Sequence, residues 1–213
     1  METIRISVRN LVEFILRSGD IDNRKGGMAD KEAMQLGSRL HRKIQGQMGA
    51  DYRAEVPLKY METFPLPGKE NMPEDSETGS YELSVEGRAD GIFTEDGQEI
   101  IDEIKGIYRP LIFLEEPVAV HLAQAKCYAC IYAVQKKLSK IGIQMTYCNL
   151  ESEEIRRFSY IYSTEELKEW FDKLIREYRK WCEFQILWKE KRQASIRKIR
   201  FPFPYREGQK DLA

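Results

Sequence analysis

The dipeptide Asp96-Gly97 constrains the fold more than any other feature of this chain. Asp-Gly between two strand-like runs is one of the strongest signals for a two-residue β-hairpin turn, because such a turn needs positive φ at both positions. The flanking runs cover about residues 81–94 and 99–107, and the second is rich in isoleucine. We therefore expect these two runs to form an antiparallel hairpin.

The turn also determines which residues face one another. If the hairpin closes with Glu95 opposite Gln98, then Asp90 lies directly opposite Glu103. Facing residues on antiparallel strands have Cβ atoms roughly 4.5–5.5 Å apart, and two like charges held there are destabilising. The pair of carboxylates therefore needs a counter-charge.

Lys105 and Arg88 form the next facing pair on the same side, because strand side chains alternate between faces. A bound divalent cation is one explanation for two opposed carboxylates beside a lysine. A solvated cluster of mixed charges on an exposed hairpin is the other, and the hairpin alone does not choose between them. A register slip of one residue would turn Asp90 to the opposite face.

Length and composition describe a globular chain. Its 213 residues suffice for one domain of ordinary size, with or without an appendage. A content of 42% hydrophobic and 32% charged residues excludes a disordered or fibrous chain. No apolar run approaches the ~20 residues of a membrane helix, and the N-terminus lacks the layout of a signal peptide. We therefore predict a cytoplasmic protein with reduced cysteines and no membrane partner.

The net charge of −1 does not by itself indicate a nucleic-acid partner. The charge is unevenly distributed, however, since Lys173 to Arg200 contains ten Lys or Arg residues against three Glu. A basic segment of this kind can meet phosphate, and a solvated helix face is an equally common explanation.

The apolar periodicity predicts a mixed sheet flanked by helices. A capping box at Ser163-Thr164-Glu165-Glu166 marks the start of the last helix. Residues 62–80, rich in proline, glycine and acidic residues, predict a mobile insertion between strands. The remaining elements are helices over about 7–19, 30–48 and 117–139, a loop over 20–29, and strands over about 53–61, 142–150 and 154–162.

An Asp on one strand and a Glu-x-Lys on the next is the arrangement that a metal-dependent phosphodiesterase requires. Asp90 and Glu103 offer hard oxygen ligands for Mg²⁺, and the carbonyl of Ile104 can add another. Such a cation polarises the scissile phosphate and lowers the pKa of a bound water. Lys105 can orient or deprotonate the attacking water and offset the charge that develops on the phosphate.

These residues resemble the motifs of a known family. GRADGI, which contains Asp90, and the following IDEIKG resemble motifs II and III of the PD-(D/E)XK nuclease superfamily. LGSRLHRKI, which contains His41, resembles the Gly-x-x-x-His motif of its RecB-like branch. QAKCY, with Gln124 and Tyr128, matches the Gln-x-x-x-Tyr motif of that branch. The motifs follow in the family's order over about residues 37–128, which implies a restriction-endonuclease-like α/β fold with a mixed β-sheet flanked by helices.

The resemblance implies roles for individual residues. His41, Asp90 and Glu103 would be the ligands of Mg²⁺ or Mn²⁺, together with the carbonyl of Ile104. Asp90, Glu103 and Lys105 would form the catalytic set, with Lys105 as the catalytic lysine. For His41 taken alone, a helix histidine satisfied by a neighbour is the plainer interpretation.

The same resemblance places Gln124 and Tyr128 against DNA or against the wall of the active site. A polar helix edge is the plain alternative for both residues. His121 shares their face of the helix and matches no motif. Glu55, on the first predicted strand, can reach the site but belongs to no motif either.

Several RecB-like nucleases carry an iron–sulfur cluster held by one early and three late cysteines. This chain has no cysteine before residue 127. Cys127 and Cys130 also fall on an apolar helical stripe, which is typical of small core residues. We therefore expect no iron–sulfur cluster.

The end of the chain resembles a different family. We predict a nuclease domain over residues 1–195, and over 196–213 a linker with the start of a truncated helicase domain. FPYREGQ in that tail resembles the opening of XPD/DinG-type superfamily 2 helicases. No G-x-x-x-x-G-K-[ST] loop occurs in the chain, so this chain does not bind ATP in that manner. A natural chain ending at Ala213 would contradict the interpretation as a helicase module.

Together these patterns predict a Mg²⁺- or Mn²⁺-dependent DNA nuclease, more specifically an exonuclease that forms the N-terminal module of a DNA helicase. Its partners would be single-stranded DNA or a duplex end, and the covalently linked helicase domain. The rival from another class is a non-catalytic DNA-binding or helicase-regulating module that keeps the fold. RNA as a substrate, strand polarity and oligomeric state stay open.

Overall fold

Six strands and four α-helices follow one another in the part of the chain that the computed structural model describes, residues 2–18, 28–67, 79–200 and 206–208. A short 3₁₀-helix lies between the fourth strand and the third helix, at Leu111–Phe113. The strands are β1 (Glu2–Ser7), β2 (Arg53–Pro65), β3 (Ser80–Glu95), β4 (Gln98–Ile107), β5 (Lys140–Asn149) and β6 (Ile155–Ser163). The helices are α1 (Val8–Leu16), α2 (Met28–Gln47), α3 (Ala119–Lys136) and α4 (Thr164–Ile196).

The strands form one mixed sheet in the order β1-β3-β4-β5-β6, with β2 also paired to β3. β1 runs parallel to β3 and β4 runs parallel to β5, whereas the other neighbours are antiparallel. The helices α1, α2 and α3 pack against this sheet. The predicted α/β class, a mixed sheet flanked by helices, is confirmed.

The turn at Asp96-Gly97 forms as the sequence predicts. Its φ angles are +50° and +76°, the positive values that a type I′ hairpin turn requires. Glu95 pairs with Gln98, and this register continues as far as Gly91 opposite Asp102. The predicted register is therefore confirmed up to that pair, where the β3–β4 ladder ends.

β1 and β4 share one edge of β3, and β2 occupies the other edge along almost the whole strand. On the shared edge, β1 pairs with residues 81–86 and β4 pairs with residues 91–95. Residues 87–90, all of them described, pair with neither β1 nor β4. The sheet is therefore interrupted along this edge, between the end of β1 and the end of β4.

The predicted starts of α1 and α4 are confirmed by their caps. Ser7 Oγ accepts a hydrogen bond from the backbone N–H of Asn10 at 3.1 Å and caps α1. Ser163 Oγ accepts from the N–H of Glu166 at 3.2 Å, and Glu166 Oε2 accepts from the N–H of Ser163 at 2.9 Å. This reciprocal pair is the capping box that the sequence of α4 predicts.

Two expectations need correction. The sequence patterns did not predict β1, whose six residues alternate too briefly to stand out. The predicted insertion begins too early, because β2 continues to Pro65, and Phe64 packs against Tyr81 with ring centroids 5.9 Å apart. Most of the remaining insertion, residues 68–78, and most of the predicted loop over 20–29 lie outside the described residues.

The chain divides into two compact units, Met1–Tyr178 and Arg179–Ala213. The first contains the whole sheet, and in it Cys127 and Cys130 are buried core residues, as predicted. The second contains the end of α4, where the rings of Trp181, Phe184 and Trp188 stack in sequence. The domain boundary predicted after residue 195 stays a prediction. Among the helices that the structure describes, none is both long and apolar enough to span a membrane.

Candidate active site

A cavity of about 940 Å³ opens next to the interrupted edge of β3. Its walls come from α2, β2, β3, β4 and the segment that follows β4. The cavity lining is rich in polar and charged side chains, among them His41, Arg42, Gln45, Glu55, Arg88 and Lys105. The helix that carries the predicted Gly-x-x-x-His motif and the two strands that carry the predicted motifs II and III therefore meet at one opening.

Asp90 lies where the hairpin ladder ends. Its Oδ2 accepts a hydrogen bond from the backbone N–H of Ile104 at 2.7 Å, so the carboxylate takes the place of a backbone acceptor. The ladder ends one pair earlier, so Asp90 and Glu103 do not form the facing pair that the turn predicts, although they remain neighbours. Burial raises the pKa of Asp90, while the nearby His41 and the Ile104 N–H oppose that rise.

Glu103 is completely buried. Its Oε1 lies 2.7 Å from Lys105 Nζ, whereas its Oε2 has no hydrogen-bond partner among the described residues. Burial first, and the charge of Asp90 second, raise the pKa of Glu103 to about 8. A buried carboxylate with an unsatisfied oxygen is costly, and either protonation or a bound cation removes that cost.

Lys105 links Glu103 to helix α3. Besides its ion pair with Glu103, the Lys105 ammonium donates to Gln124 Oε1 at 3.1 Å. Gln124 Nε2 in turn donates to Tyr128 Oη at 3.4 Å. The predicted motifs III and Gln-x-x-x-Tyr are therefore joined by one chain of polar contacts.

Arg88 does not pair with Lys105 as the simple hairpin register predicts. The β3–β4 ladder has already ended, and the Arg88 guanidinium lies 3.5 Å from Glu55 Oε2 on β2 instead. Both basic side chains still line the cavity.

Tyr128 fills the gap in the sheet edge. Its ring lies against Gly87, where an added Cβ would come within 2.6 Å of Tyr128 Oη. Only 3% of the tyrosine is exposed, and burial raises its pKa. Tyr128 therefore forms part of the wall behind the site, and a direct contact of Gln124 or Tyr128 with DNA stays a prediction.

His41 reaches the same place from α2. Its Nε2 lies 2.6 Å from the carbonyl oxygen of Ile104 and 3.6 Å from Asp90 Oδ2. Gly37, one turn earlier on the helix, also lines the cavity, and a Cβ there would meet nothing within 4 Å. The Gly-x-x-x-His spacing therefore leaves the space beside His41 open.

Glu55 brings a third carboxylate to the site from β2. Ligand atoms of His41, Glu55 and Asp90 all lie within 4.8 Å of one another, so these three residues can hold a metal ion. Glu55 has a φ of +56°, a strained value for a residue other than glycine. Gln45 Nε2 donates both to Glu55 Oε1 at 3.1 Å and to the Asp90 carbonyl at 2.9 Å.

His121 is directed to a different neighbour. Its Nδ1 lies 3.1 Å from Tyr147 Oη, which accepts a hydrogen bond from the Val118 N–H at 3.0 Å. The tyrosine hydroxyl proton can therefore point at Nδ1, which acts as an acceptor. Burial, followed by the charge of Lys105, lowers the pKa of His121 to about 4.

Comparison with known proteins agrees with this architecture. The crystal structure of an alkaline exonuclease from Laribacter hongkongensis matches with a TM-score of 0.53 and 8% sequence identity, over 90% of this chain and 94% of that one. The crystal structure of SSO0001 matches with a TM-score of 0.44 and 17% identity, over 85% and 84% of the two chains. No family model and no curated protein matches the sequence.

At 8% identity the likeness to the alkaline exonuclease shows the fold alone. The predicted restriction-endonuclease-like architecture is confirmed by this match. The predicted helicase-like tail receives no such support. Of its FPYREGQ segment the structure describes only residues 206–208.

Proposed function

We propose that this chain is a Mg²⁺- or Mn²⁺-dependent nuclease that hydrolyses phosphodiester bonds in DNA. One observation carries the proposal. Glu103 is completely buried, its Oε2 has no hydrogen-bond partner among the described residues, and its Oε1 lies 2.7 Å from Lys105, which lines an open, polar cavity. Such an arrangement is costly in a protein that binds no cation.

The donor set fits a divalent cation. Two carboxylates and a backbone carbonyl are hard oxygen donors, and imidazole is accepted by Mn²⁺ and related metals. We assign His41, Asp90, Glu103 and the carbonyl of Ile104 as the ligands. The ligand atoms of His41 and Asp90 lie within 4.8 Å of each other and of Glu55, which is a further carboxylate within reach, and His41 Nε2 lies 2.6 Å from the Ile104 carbonyl oxygen. The bound cation would polarise the phosphate and lower the pKa of a coordinated water.

Lys105 is positioned by two side chains and remains accessible from the cavity. Two of its three ammonium N–H groups have partners, Glu103 Oε1 and Gln124 Oε1. With 22% of its side chain exposed, the lysine still reaches the cavity. We assign to Lys105 the orientation of the attacking water and the stabilisation of negative charge on the phosphate.

The cavity walls suit a polyanion. Arg42 and Arg88 line the opening together with Lys105. Basic side chains of this kind bind the phosphate backbone without reading the base sequence. DNA of any sequence is therefore the substrate that we propose.

We further propose exonucleolytic action in concert with a helicase domain. The first part is supported by the shared fold with a protein named an alkaline exonuclease. The second rests only on the resemblance of the FPYREGQ tail. Mononucleotide products from an end-labelled duplex would support the exonuclease, whereas cleavage of a closed circle would contradict it. A gene that ends at Ala213 would contradict the helicase link.

A cleavage assay tests the proposal. Fluorescently labelled single- and double-stranded DNA, and RNA of the same sequence, are incubated with the protein and Mg²⁺ or Mn²⁺. We expect DNA cleavage that Asp90→Asn and Lys105→Ala both abolish. Asp172→Asn and Lys168→Ala, an exposed ion pair on α4, serve as matched controls and retain activity.

Cleavage that survives both Asp90→Asn and Lys105→Ala would overturn the assignment. The rival, a non-catalytic DNA-binding module, predicts DNA binding without cleavage. It also predicts no Mn²⁺ binding that depends on Asp90 and Glu103, which calorimetric titration of Mn²⁺ would measure.

A further inference from the structure

The segment between β4 and α3 presents large apolar side chains to solvent beside the cavity. Tyr108 is 51% exposed, Ile112 is 77% exposed and Phe113 is 63% exposed. Tyr108 also lines the cavity itself. Exposed apolar clusters next to a polar cleft typically mark a binding surface. We name residues 108–113 the apolar loop.

Hydrogen bonds hold the apolar loop in one conformation. Asn149 Nδ2 donates to the carbonyls of Tyr108 at 3.3 Å and Arg109 at 3.2 Å. The Arg109 guanidinium donates to the Phe113 carbonyl at 2.7 Å, which closes the loop on itself. Arg156 adds a hydrogen bond to the Leu111 carbonyl at 3.0 Å.

Two buried leucine side chains anchor the apolar loop further. Leu111 is 1% exposed and Leu114 is 5% exposed, so both point into the core. Ile112 and Phe113, which lie between them, are held outwards as a result. The exposure of these side chains is therefore a built feature of the fold.

Aromatic side chains next to basic ones are the chemistry that binds unpaired nucleotides. Single-stranded nucleic acid is held by cations that contact phosphates and by aromatic rings on which bases stack. The cavity offers the cations Arg42, Arg88 and Lys105, and the apolar loop offers the rings of Tyr108 and Phe113. Bases inside a duplex are already stacked and cannot present their faces in this way.

We propose that the apolar loop is a stacking platform for unpaired bases of the DNA strand that enters the cavity. The inference rests on the proposed function, because the strand that stacks here is the strand that the site would cut. It makes single-stranded DNA, or the frayed end of a duplex, the preferred substrate over intact duplex. Tyr108, at the cavity wall, would stack the base nearest the site.

Binding in the presence of EDTA tests the platform without cleavage. Fluorescence anisotropy gives the Kd of a labelled 12-nucleotide single strand, of an abasic strand of equal length, and of the blunt duplex. We expect the single strand to bind more tightly than the duplex. Tyr108→Leu and Phe113→Leu should each raise the Kd of the single strand by about fivefold or more, the usual loss when one stacking ring is removed.

Matched variants and the abasic strand separate stacking from general effects. Ile161→Ala, a substitution at a 68% exposed apolar residue on β6, should leave the Kd within about twofold. Phe113→Trp should retain tight binding because a stacking ring is kept. The abasic strand should bind weakly and equally to the wild type and to the two leucine variants. Circular dichroism checks that each variant is folded.

Several outcomes would overturn the platform. These are equal binding of normal and abasic strands, or an unchanged Kd in both leucine variants. Loss of self-association in those variants, measured by sedimentation, without a change in DNA affinity would assign the apolar loop to a protein interface instead.

The platform and the nuclease assignment fail separately. DNA cleavage with an unchanged Kd of the single strand in both Tyr108→Leu and Phe113→Leu removes the platform and keeps the nuclease. Ring-dependent binding of single strands without any cleavage keeps the platform and removes the nuclease.

Discussion

Asp102 and Glu103 are neighbours on β4 and both are completely buried, yet their surroundings differ. The Asp102 carboxylate accepts hydrogen bonds from Tyr52 Oη at 3.0 Å, Gln144 Nε2 at 3.1 Å and Thr146 Oγ1 at 2.6 Å. Glu103 has an ion pair on one oxygen and, among the described residues, no hydrogen-bond partner on the other. The two side chains point to opposite faces of the sheet, because strand residues alternate.

Burial raises the pKa of both carboxyl groups, so neither burial nor the direction of the pKa shift distinguishes them. The difference lies in whether the oxygens are satisfied. Asp102 has polar partners for its carboxylate, whereas one oxygen of Glu103 has no hydrogen-bond partner among the described residues. An unsatisfied buried oxygen is therefore the better guide to the site.

The largest expected difference between the two acids is in catalysis. We expect Glu103→Gln to lower the rate of DNA cleavage by about 10³-fold or more, since it removes a metal ligand from the reaction. Asp102→Asn should retain the rate within about tenfold, because Asp102 acts on the other face of the sheet. Single-turnover cleavage with saturating Mg²⁺ measures both rates. A larger loss of cleavage rate in Asp102→Asn than in Glu103→Gln would contradict this prediction.

The second difference is in stability. Asp102→Ala should lower the free energy of unfolding by about 3 kcal/mol, because it leaves one buried donor and two half-buried donors without their acceptor. Glu103→Gln should change it much less, because the amide keeps the shape of the carboxyl group and its oxygen can still accept a hydrogen bond from Lys105. Urea denaturation in EDTA, followed by tryptophan fluorescence, gives both values. A larger loss in Glu103→Gln would show that Glu103 is a structural residue.

The third difference is in the response to metal. At a Mn²⁺ concentration of 100 Kd the wild type should gain about 2.7 kcal/mol of stability, which raises Tm by about 5–10 °C. Asp102→Asn should keep this gain, and Asp90→Asn and Glu103→Gln should lose it. Differential scanning fluorimetry over a Mn²⁺ series measures the shifts. Equal shifts in all four proteins would place the cation elsewhere.

The smallest expected effect is on the pH dependence of stability, and it involves His121 near Lys105, the partner of Glu103. The pKa of His121 is lowered to about 4 in the folded chain, below its ordinary value of 6.5. The unfolded chain therefore binds the proton first as the pH falls, and the folded state loses stability between about pH 6.5 and 4.

His121→Gln should flatten the fall in stability over that range relative to the wild type. Urea midpoints at four pH values between 4.5 and 7.5 provide the test. Parallel curves for the two proteins would contradict the effect of His121. Carboxyl groups also titrate in this range, so the difference in stability between the two proteins at each pH is the quantity that tests the prediction.

The position of Glu103 beside Asp90 could be predicted from the local sequence. The Asp96-Gly97 turn sets a register that brings Asp90 and Glu103 to adjacent positions, and the motif spacing adds His41. Turn and cap geometry depend on a few neighbouring residues, so they can be read directly from the sequence.

The partners of Asp102 could not be predicted, and Glu55 could be named only as a residue within reach of the site, without a motif to assign it a role. Tyr52, Gln144 and Thr146 lie more than 40 residues from Asp102 along the chain. No local pattern links residues so far apart. The position of Glu55 depends on a positive φ within β2, a distortion that strand propensity argues against. The end of the β3–β4 ladder at Gly91 was equally hidden, because it depends on how β3 divides its edge between two other strands.

That divided edge bears on the order in which the protein assembles as it is synthesised. β1 is made first, but its partner residues on β3 follow 79 positions later, as the hydrogen bond from Thr3 to Glu82 illustrates. β4 pairs along its outer edge with β5, whose partner residues follow 42 positions later, as Ile100 opposite Gly142 illustrates. Pairings of such long separation close slowly. A ribosome-bound chain therefore carries the acidic residues of the candidate site for some time before they are gathered.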